Sequence, residues 1–159
     1  AKNWNQNSFV GKERQGVVLH YGMVGENNPF DNAGQNSTRS RTAVHEVGHY
    51  LGMRHVWGDG RTGQNGCLLD DFMEDTPNTS TRNNSCNKNR NTCTDPQDDL
   101  PDQIENYMDY TPGNCVNMFT NMQADLMRYN LINLRAGLAD VFVPEPPIFP
   151  ATRDLLYPV

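Results

Sequence analysis

Residues His45–His55 read HEVGHYLGMRH. Histidines recur at offsets of four and then six, a glutamate follows the first, and Gly52 separates the second from the third. In a helix, residues four apart share a face, so His45 and His49 present two imidazoles to one point. Glu46 lies next to His45 and reaches the same space from the side. A third histidine on the following turn would drift around the axis. Gly52 removes that difficulty: glycine takes a left-handed conformation cheaply, ends the helix and turns the chain so that His55 approaches from below. The pattern predicts a helix from about Ser37–Ser40, where Ser and Thr offer N-caps, to about Leu51, then a turn that closes a three-nitrogen site.

Three neutral imidazoles leave a fourth position for water, as in a catalytic rather than a closed structural zinc site. Zinc lowers the pKa of bound water from about 15.7 to about 7. Glu46 would take the proton of that water as it attacks a carbonyl, then deliver it to the leaving amine. The competing account is a chance cluster of ordinary histidines. At background frequencies of a few per cent, five specified positions coincide in roughly one chain in a million or fewer. His20, alone in a β-branched stretch, reads as structural or exposed.

The rest of the chain says what must hold such a site. Its 159 residues suit one domain with a modest core, and 36% hydrophobic residues give thin stability by burial alone. A mean hydropathy of -0.75 points the same way, so other braces are expected. The net charge of -6 and pI near 5.0 argue against a nucleic-acid partner and suit a cation binder. No apolar run reaches the length of a membrane span. The chain opens AKNW without an initiator Met, as a mature or excised piece would. Cys67, Cys86, Cys93 and Cys115 contain no CxxC pair and sit in Asn-, Asp- and Gly-rich sequence, which favours disulfides in a secreted protein over a thiolate zinc site. Three pairings are open.

Residues 17–24, VVLHYGMV, are β-branched and aromatic between glycines and predict a strand; 26–37 read as a loop. Residues 58–105 carry little periodicity and much Asn, Asp, Thr, Pro and Gly, a length of irregular chain that needs metal ions or disulfides to brace it. A second helix is predicted over about Asn121 to Leu138, with a capping box at Thr120 and Gln123. Its stripe of Met122, Leu126 and Tyr129, widened by Met127, Leu131, Leu134 and Leu138, reads as core packing. The Pro-rich residues 143–159 read as a tail or linker after a domain at 1–142.

HExxHxxGxxH resembles the metzincin signature. NYMDY at 106–110 stands after the long loop and before the second helix, where metzincins carry their Met-turn, so Met108 would form a hydrophobic floor beneath the metal. The finer detail of HEVGHYLGMRHVWGDG (45–60), DDFMEDTP (70–77), NYMDYTPGNC (106–115) and MFTNMQADLMR (118–128) resembles the pappalysin family. That resemblance implies an α+β metzincin-type zincin domain: active-site helix, long braced loop, Met-turn and C-terminal helix. It implies that Tyr110 stabilises the tetrahedral oxyanion, a role worth roughly 3 kcal/mol. It also implies structural calcium at Asp71 and Thr76, with Asp70 and Asp75 as oxygen donors nearby. The cysteine order matches relatives that pair Cys67 with Cys93 and Cys86 with Cys115, contributing roughly 3–4 kcal/mol each.

The match departs at two places. Relatives that prefer a basic residue just after the cleaved bond commonly carry an aspartate where this chain has Asn114, an uncharged amide. The stretch before His45 is also short for a metzincin, so the upper N-terminal subdomain is expected to be truncated, with VVLHYGMV as the edge that pairs with an extended peptide. The function expected is a secreted zinc endopeptidase acting on protein or peptide substrates. The alternatives are a zinc- and calcium-stapled scaffold that has no use for Glu46 or Tyr110, and a small-molecule hydrolase or lyase.

Overall fold

A computed structural model describes residues 16–24, 41–59, 66–95, 98–135 and 137–138. The described elements are a 3-10 turn Tyr21–Met23, helix α1 over Arg41–Tyr50, a 3-10 turn Gly66–Leu68 and helix α2 over Asn121–Leu134. Much of the irregular stretch expected at 58–105 is indeed irregular, with residues 60–65 and 96–97 outside the described set. The 26–37 loop, the N-capping region of α1 and the 143–159 tail also lie outside it.

The strand expected at 17–24 is corrected. Tyr21–Met23 form a 3-10 turn, started by His20, whose Nδ1 accepts the Gly22 N–H at 3.2 Å. His20 is therefore an exposed local cap, within its reading as structural or exposed. A β-branched run becomes a strand only when a neighbouring backbone takes up its N–H and C=O groups. Among the described residues the pairing observed is a single parallel bridge, Asn106 with Met118. The β part of the expected α+β class is thus confined, in the described residues, to that bridge.

Helix α1 ends as the glycine predicted. The Met53 N–H donates to Gly48 O at 3.0 Å and the Gly52 N–H to His49 O at 2.9 Å, the paired bonds of a Schellman cap, with Gly52 at φ +100°. Two carbonyls remain, and α2 with its C-cap residue satisfies both: Asn130 Nδ2 donates to Leu51 O and Arg135 Nη2 to Tyr50 O, each at 2.7 Å. The Arg135 charge also suits the negative end of the α1 dipole.

Met53, Val56, Trp57 and Met108 form the apolar core, with Phe119, Leu126 and Met127 packed against it. Gly48 costs α1 about 1 kcal/mol relative to alanine in helix propensity. It is needed nonetheless, because a Cβ there would lie 2.5 Å from Met108 Sδ. The turn carrying Met108 is thereby pressed against the helix that carries the histidines.

Helix α2 begins with the predicted capping box: Thr120 Oγ1 accepts the Gln123 N–H at 3.2 Å, and Gln123 Oε1 accepts the Thr120 N–H at 3.0 Å. The reading of its stripe as core is corrected. Leu126 and Met127 reach the core, whereas Met122, Tyr129, Leu134 and Leu138 are exposed. Gln123, the buried residue of this helix, instead accepts from Asn106 Nδ2 at 2.9 Å, so a polar contact seats it.

The long loop is held mainly by polar groups. Disulfides join Cys67 to Cys93 and Cys86 to Cys115, the pairing the family resemblance implied. Between them, buried Asp102 accepts from the Thr92 N–H and hydroxyl, both at 2.9 Å, and pairs with Arg90 Nε at 3.4 Å. Buried Asp109 accepts four hydrogen bonds: Asn83 N–H at 2.9 Å, Tyr110 N–H at 2.7 Å, Asn83 Nδ2 at 2.6 Å and the Thr111 hydroxyl at 3.0 Å.

Candidate metal centre

The turn after Gly52 brings the three histidines together. Their Nε2 atoms lie 3.1 Å (His45 to His49), 3.0 Å (His49 to His55) and 3.3 Å (His45 to His55) apart. On the far side of each ring, Nδ1 meets an acceptor: Tyr107 O at 2.6 Å for His45, Met53 O at 2.8 Å for His49, and the Asp59 carboxylate for His55. Those acceptors assign the ring proton to Nδ1. Each Nε2 then presents a lone pair, so the three close approaches are not hydrogen bonds between the rings. Ligands about 2.0–2.1 Å from a tetrahedral zinc lie roughly 3.3 Å apart, and the observed triangle fits a single ion of that size. Among the described residues this is the one group of three His, Cys, Asp or Glu side chains whose ligand atoms fall within 4.8 Å of each other.

Electrostatics favour the same state. Burial lowers the pKa of His45, and lowers that of His55 to about 4 despite the opposing pull of its Asp59 hydrogen bond. Neutral rings are what a cation requires. His55 is fixed further by stacking on Trp57, with ring centroids 4.2 Å apart and planes at 6°. Asp59 takes a left-handed φ of 60°, tolerable for aspartate, and this aims its carboxylate back at His55.

Glu46 and Tyr110 share a cavity of about 410 Å³ with His45. Tyr110 is 47% exposed; its ring sits edge-on to His55 at 4.8 Å and lies 5.5 Å from His45. Burial of its inner side, then the nearby Glu46 and Asp59 charges, raises the pKa of its phenol. The hydroxyl is accordingly a proton donor at neutral pH. Met23, from the segment expected as a strand, lines the same cavity. Met108 is fully buried, its sulfur against Gly48 of the histidine helix.

Asp71 and Thr76 are brought together, Thr76 Oγ1 donating to Asp71 Oδ1 at 2.8 Å. Asp71 Oδ2 is buried without a hydrogen-bond partner, and burial pushes the carboxyl up to about 7. An orphaned buried carboxylate oxygen fits a cation. Asp70 and Asp75 instead accept the Phe72 and Met122 N–H groups, each at 2.9 Å. Asn114 is exposed beside the Cys86–Cys115 bridge, outside the residues lining the cavity.

Sequence reasoning missed Asp59, Trp57 and Asp109. An acid four residues after the last histidine was a usable signal for Asp59. The partner of Asp109, Asn83, is too distant along the chain for any local pattern to reveal.

Three converging histidine nitrogens with an acid and a phenol beside them have the layout of a zinc metallopeptidase site. A family model described as Peptidase M43, pregnancy-associated plasma protein-A, matches residues 24–132. An extracellular metalloprotease of Arthroderma benhamiae is 36% identical over 122 residues, covering 76% of this chain and 40% of that protein. Extracellular metalloprotease 1 of Coccidioides posadasii is 37% identical over 97 residues, covering 61% of this chain and 32% of that one. Mature mirolysin of Tannerella forsythia, solved in complex with a cleaved peptide, superposes with a TM-score of 0.61 at 37% identity, over 73% of this chain and 41% of its own. The chain belongs to the pappalysin (M43) family of metzincin zinc metalloproteases. It spans about two fifths of the length of these relatives or less.

Proposed function

We propose that this chain carries the catalytic centre of a secreted zinc endopeptidase that hydrolyses peptide bonds in extended protein segments. The observation that carries the reading is the convergence of three Nε2 lone pairs, 3.0–3.3 Å apart, at the edge of a cavity that Glu46 and Tyr110 also line. His45, His49 and His55 would hold the zinc, which when bound supplies a Lewis acid for water and for the scissile carbonyl. Glu46 takes the proton from the attacking water at its carboxylate and returns it to the leaving amine nitrogen. The Tyr110 hydroxyl donates to the oxygen that gains charge as the carbonyl carbon becomes tetrahedral. Met108 keeps α1 seated, and Gly52 sets the turn that carries His55 to its place. Secretion is supported by the names of the extracellular relatives and by the two disulfides.

Structural calcium is part of the same proposal. Asp71 and Thr76 would take it, supported by the unpartnered Asp71 Oδ2.

Glu46→Ala, loaded with zinc to the parent's stoichiometry, is expected to lose cleavage of denatured casein while keeping its metal. Persistent cleavage would remove Glu46 from the mechanism. Tight stoichiometric zinc in the parent with no turnover would mark a stapled scaffold.

A further inference from the structure

Three side chains with a formal charge line the cavity beside the metal centre: Arg41, Glu46 and Asp109. They are not equally available to a ligand. Asp109 is 3% exposed, and its two oxygens already accept four hydrogen bonds. It has nothing left for an incoming cation. Glu46 is assigned to proton transfer. Arg41 remains: its Nη1 donates to the Tyr107 hydroxyl and its guanidinium carbon lies 5.6 Å from the centroid of that ring. Among the described residues no carboxylate pairs with it. A guanidinium carries five N–H donors in a planar fork and stays charged at any working pH. Four residues before His45, it stands on the same face of α1 as the first metal ligand. Among the described residues, the cavity therefore combines a half-buried, permanent positive charge with no free anion except Glu46.

Building on the peptidase reading, we propose that this cavity receives the substrate side chain adjoining the scissile bond. Arg41 sets its charge preference, accepting aspartate or glutamate and rejecting lysine and arginine. A substrate carboxylate meets the N–H groups that Tyr107 leaves unused. A substrate ammonium meets a like charge and finds Asp109 saturated. A charge-assisted bond in a half-buried setting is worth about ten-fold in affinity.

The test uses peptides of one sequence that differ only beside the scissile bond, carrying Glu, Gln or Lys there. Two readouts are taken: kcat/KM of the zinc-loaded parent, and the Kd of the zinc-loaded Glu46→Ala variant by fluorescence anisotropy. Glu is expected to exceed Lys by about ten-fold in both. Arg41→Gln, which keeps a donor for Tyr107, levels the series; Arg41→Lys keeps the order; Arg41→Glu inverts it. An equal or Lys-preferring parent overturns the proposal. So does an Arg41→Glu variant that weakens every peptide by one common factor, the mark of a residue that merely holds Tyr107. A charge order in binding without cleavage by the parent would sink the peptidase reading and leave the charge preference standing. Cleavage without a charge order does the reverse.

Discussion

Replacing Gly52 with alanine strikes two constraints whose sizes follow separately from the geometry. The residue sits at φ +100°, where a side chain costs about 1–2 kcal/mol. The new Cβ would also lie 2.2 Å from Asn130 Nδ2, the amide that donates to Leu51 O at 2.7 Å. Asn130 must move, and losing that hydrogen bond costs about 0.5–1.5 kcal/mol. The expected loss is about 2–3 kcal/mol of unfolding free energy, read from urea titrations of the zinc-saturated protein by tryptophan fluorescence. His55 lies three residues beyond the turn, so zinc affinity should fall at least ten-fold as well, measured by competition with a chelating dye. A double-mutant cycle separates the two causes. Asn130→Ala should cost about 1 kcal/mol in the parent and close to nothing beside Gly52→Ala, where its bond is already gone. A Gly52→Ala variant within about 0.5 kcal/mol of the parent, or an Asn130→Ala cost equal in both backgrounds, would refute the turn as the device that seats His55.

Tyr110→Phe removes the phenol and keeps the ring; kcat should fall about a hundred-fold with zinc content unchanged. Because burial raises that pKa above the usual phenol value, the deficit should be constant from neutral to mildly alkaline pH. A kcat equal to the parent's would dismiss the oxyanion role. Asp59→Ala frees Nδ1 of His55 and should weaken zinc about ten-fold or more, whereas an unchanged Kd would reduce Asp59 to a surface contact. Calcium should raise Tm, and the rise should grow with pH. The folded apo protein keeps a proton on Asp71 up to about 7, while the unfolded chain releases it near 3.8, so stability without calcium falls across that window. Calorimetry at pH 5.5 and pH 8 checks this, and equal calcium effects at the two values would contradict the site.

What the sequence made legible is what short-range periodicity encodes. His45 and His49 share a helical face and Gly52 must break that helix, so the centre could be drawn from eleven consecutive residues. The capping box at Thr120 was readable for the same reason. The disulfide pairing was not: spacing left three possibilities, and only the family resemblance selected the observed one. VVLHYGMV misled because β-branching records a preference that a partner strand must realise. The apolar stripe of α2 misled differently. Periodicity shows that residues share a face, without showing which face a neighbour covers, and here Gln123 is buried while Tyr129 is exposed. Arg135 on Tyr50 O and Asn130 on Leu51 O join residues 85 and 79 positions apart, and no local pattern records such contacts.

Those long-range contacts divide the site into two parts with different supports. The histidines are fixed by packing and backbone: Met108 against Gly48, the Schellman cap at Gly52, and carbonyl acceptors for His45 and His49. Tyr110 is fixed by polar chemistry instead, through Asp109, which ties it to Asn83, and through the Cys86–Cys115 bridge that encloses both residues. Tyr110 is half-exposed and touches the centre by edge contacts with His55 and Trp57 and a tilted one with His45. A metal ligand must hold a lone pair within tenths of an ångström, which close packing provides. An oxyanion donor must instead meet a group that exists only during the reaction, and a tyrosine hinged on hydrogen bonds can settle onto it. The packed cluster of Met53, Val56, Trp57 and Met108 lies beside the histidines, where rigidity is required. The loop that carries Tyr110 is braced by side-chain hydrogen bonds and disulfides.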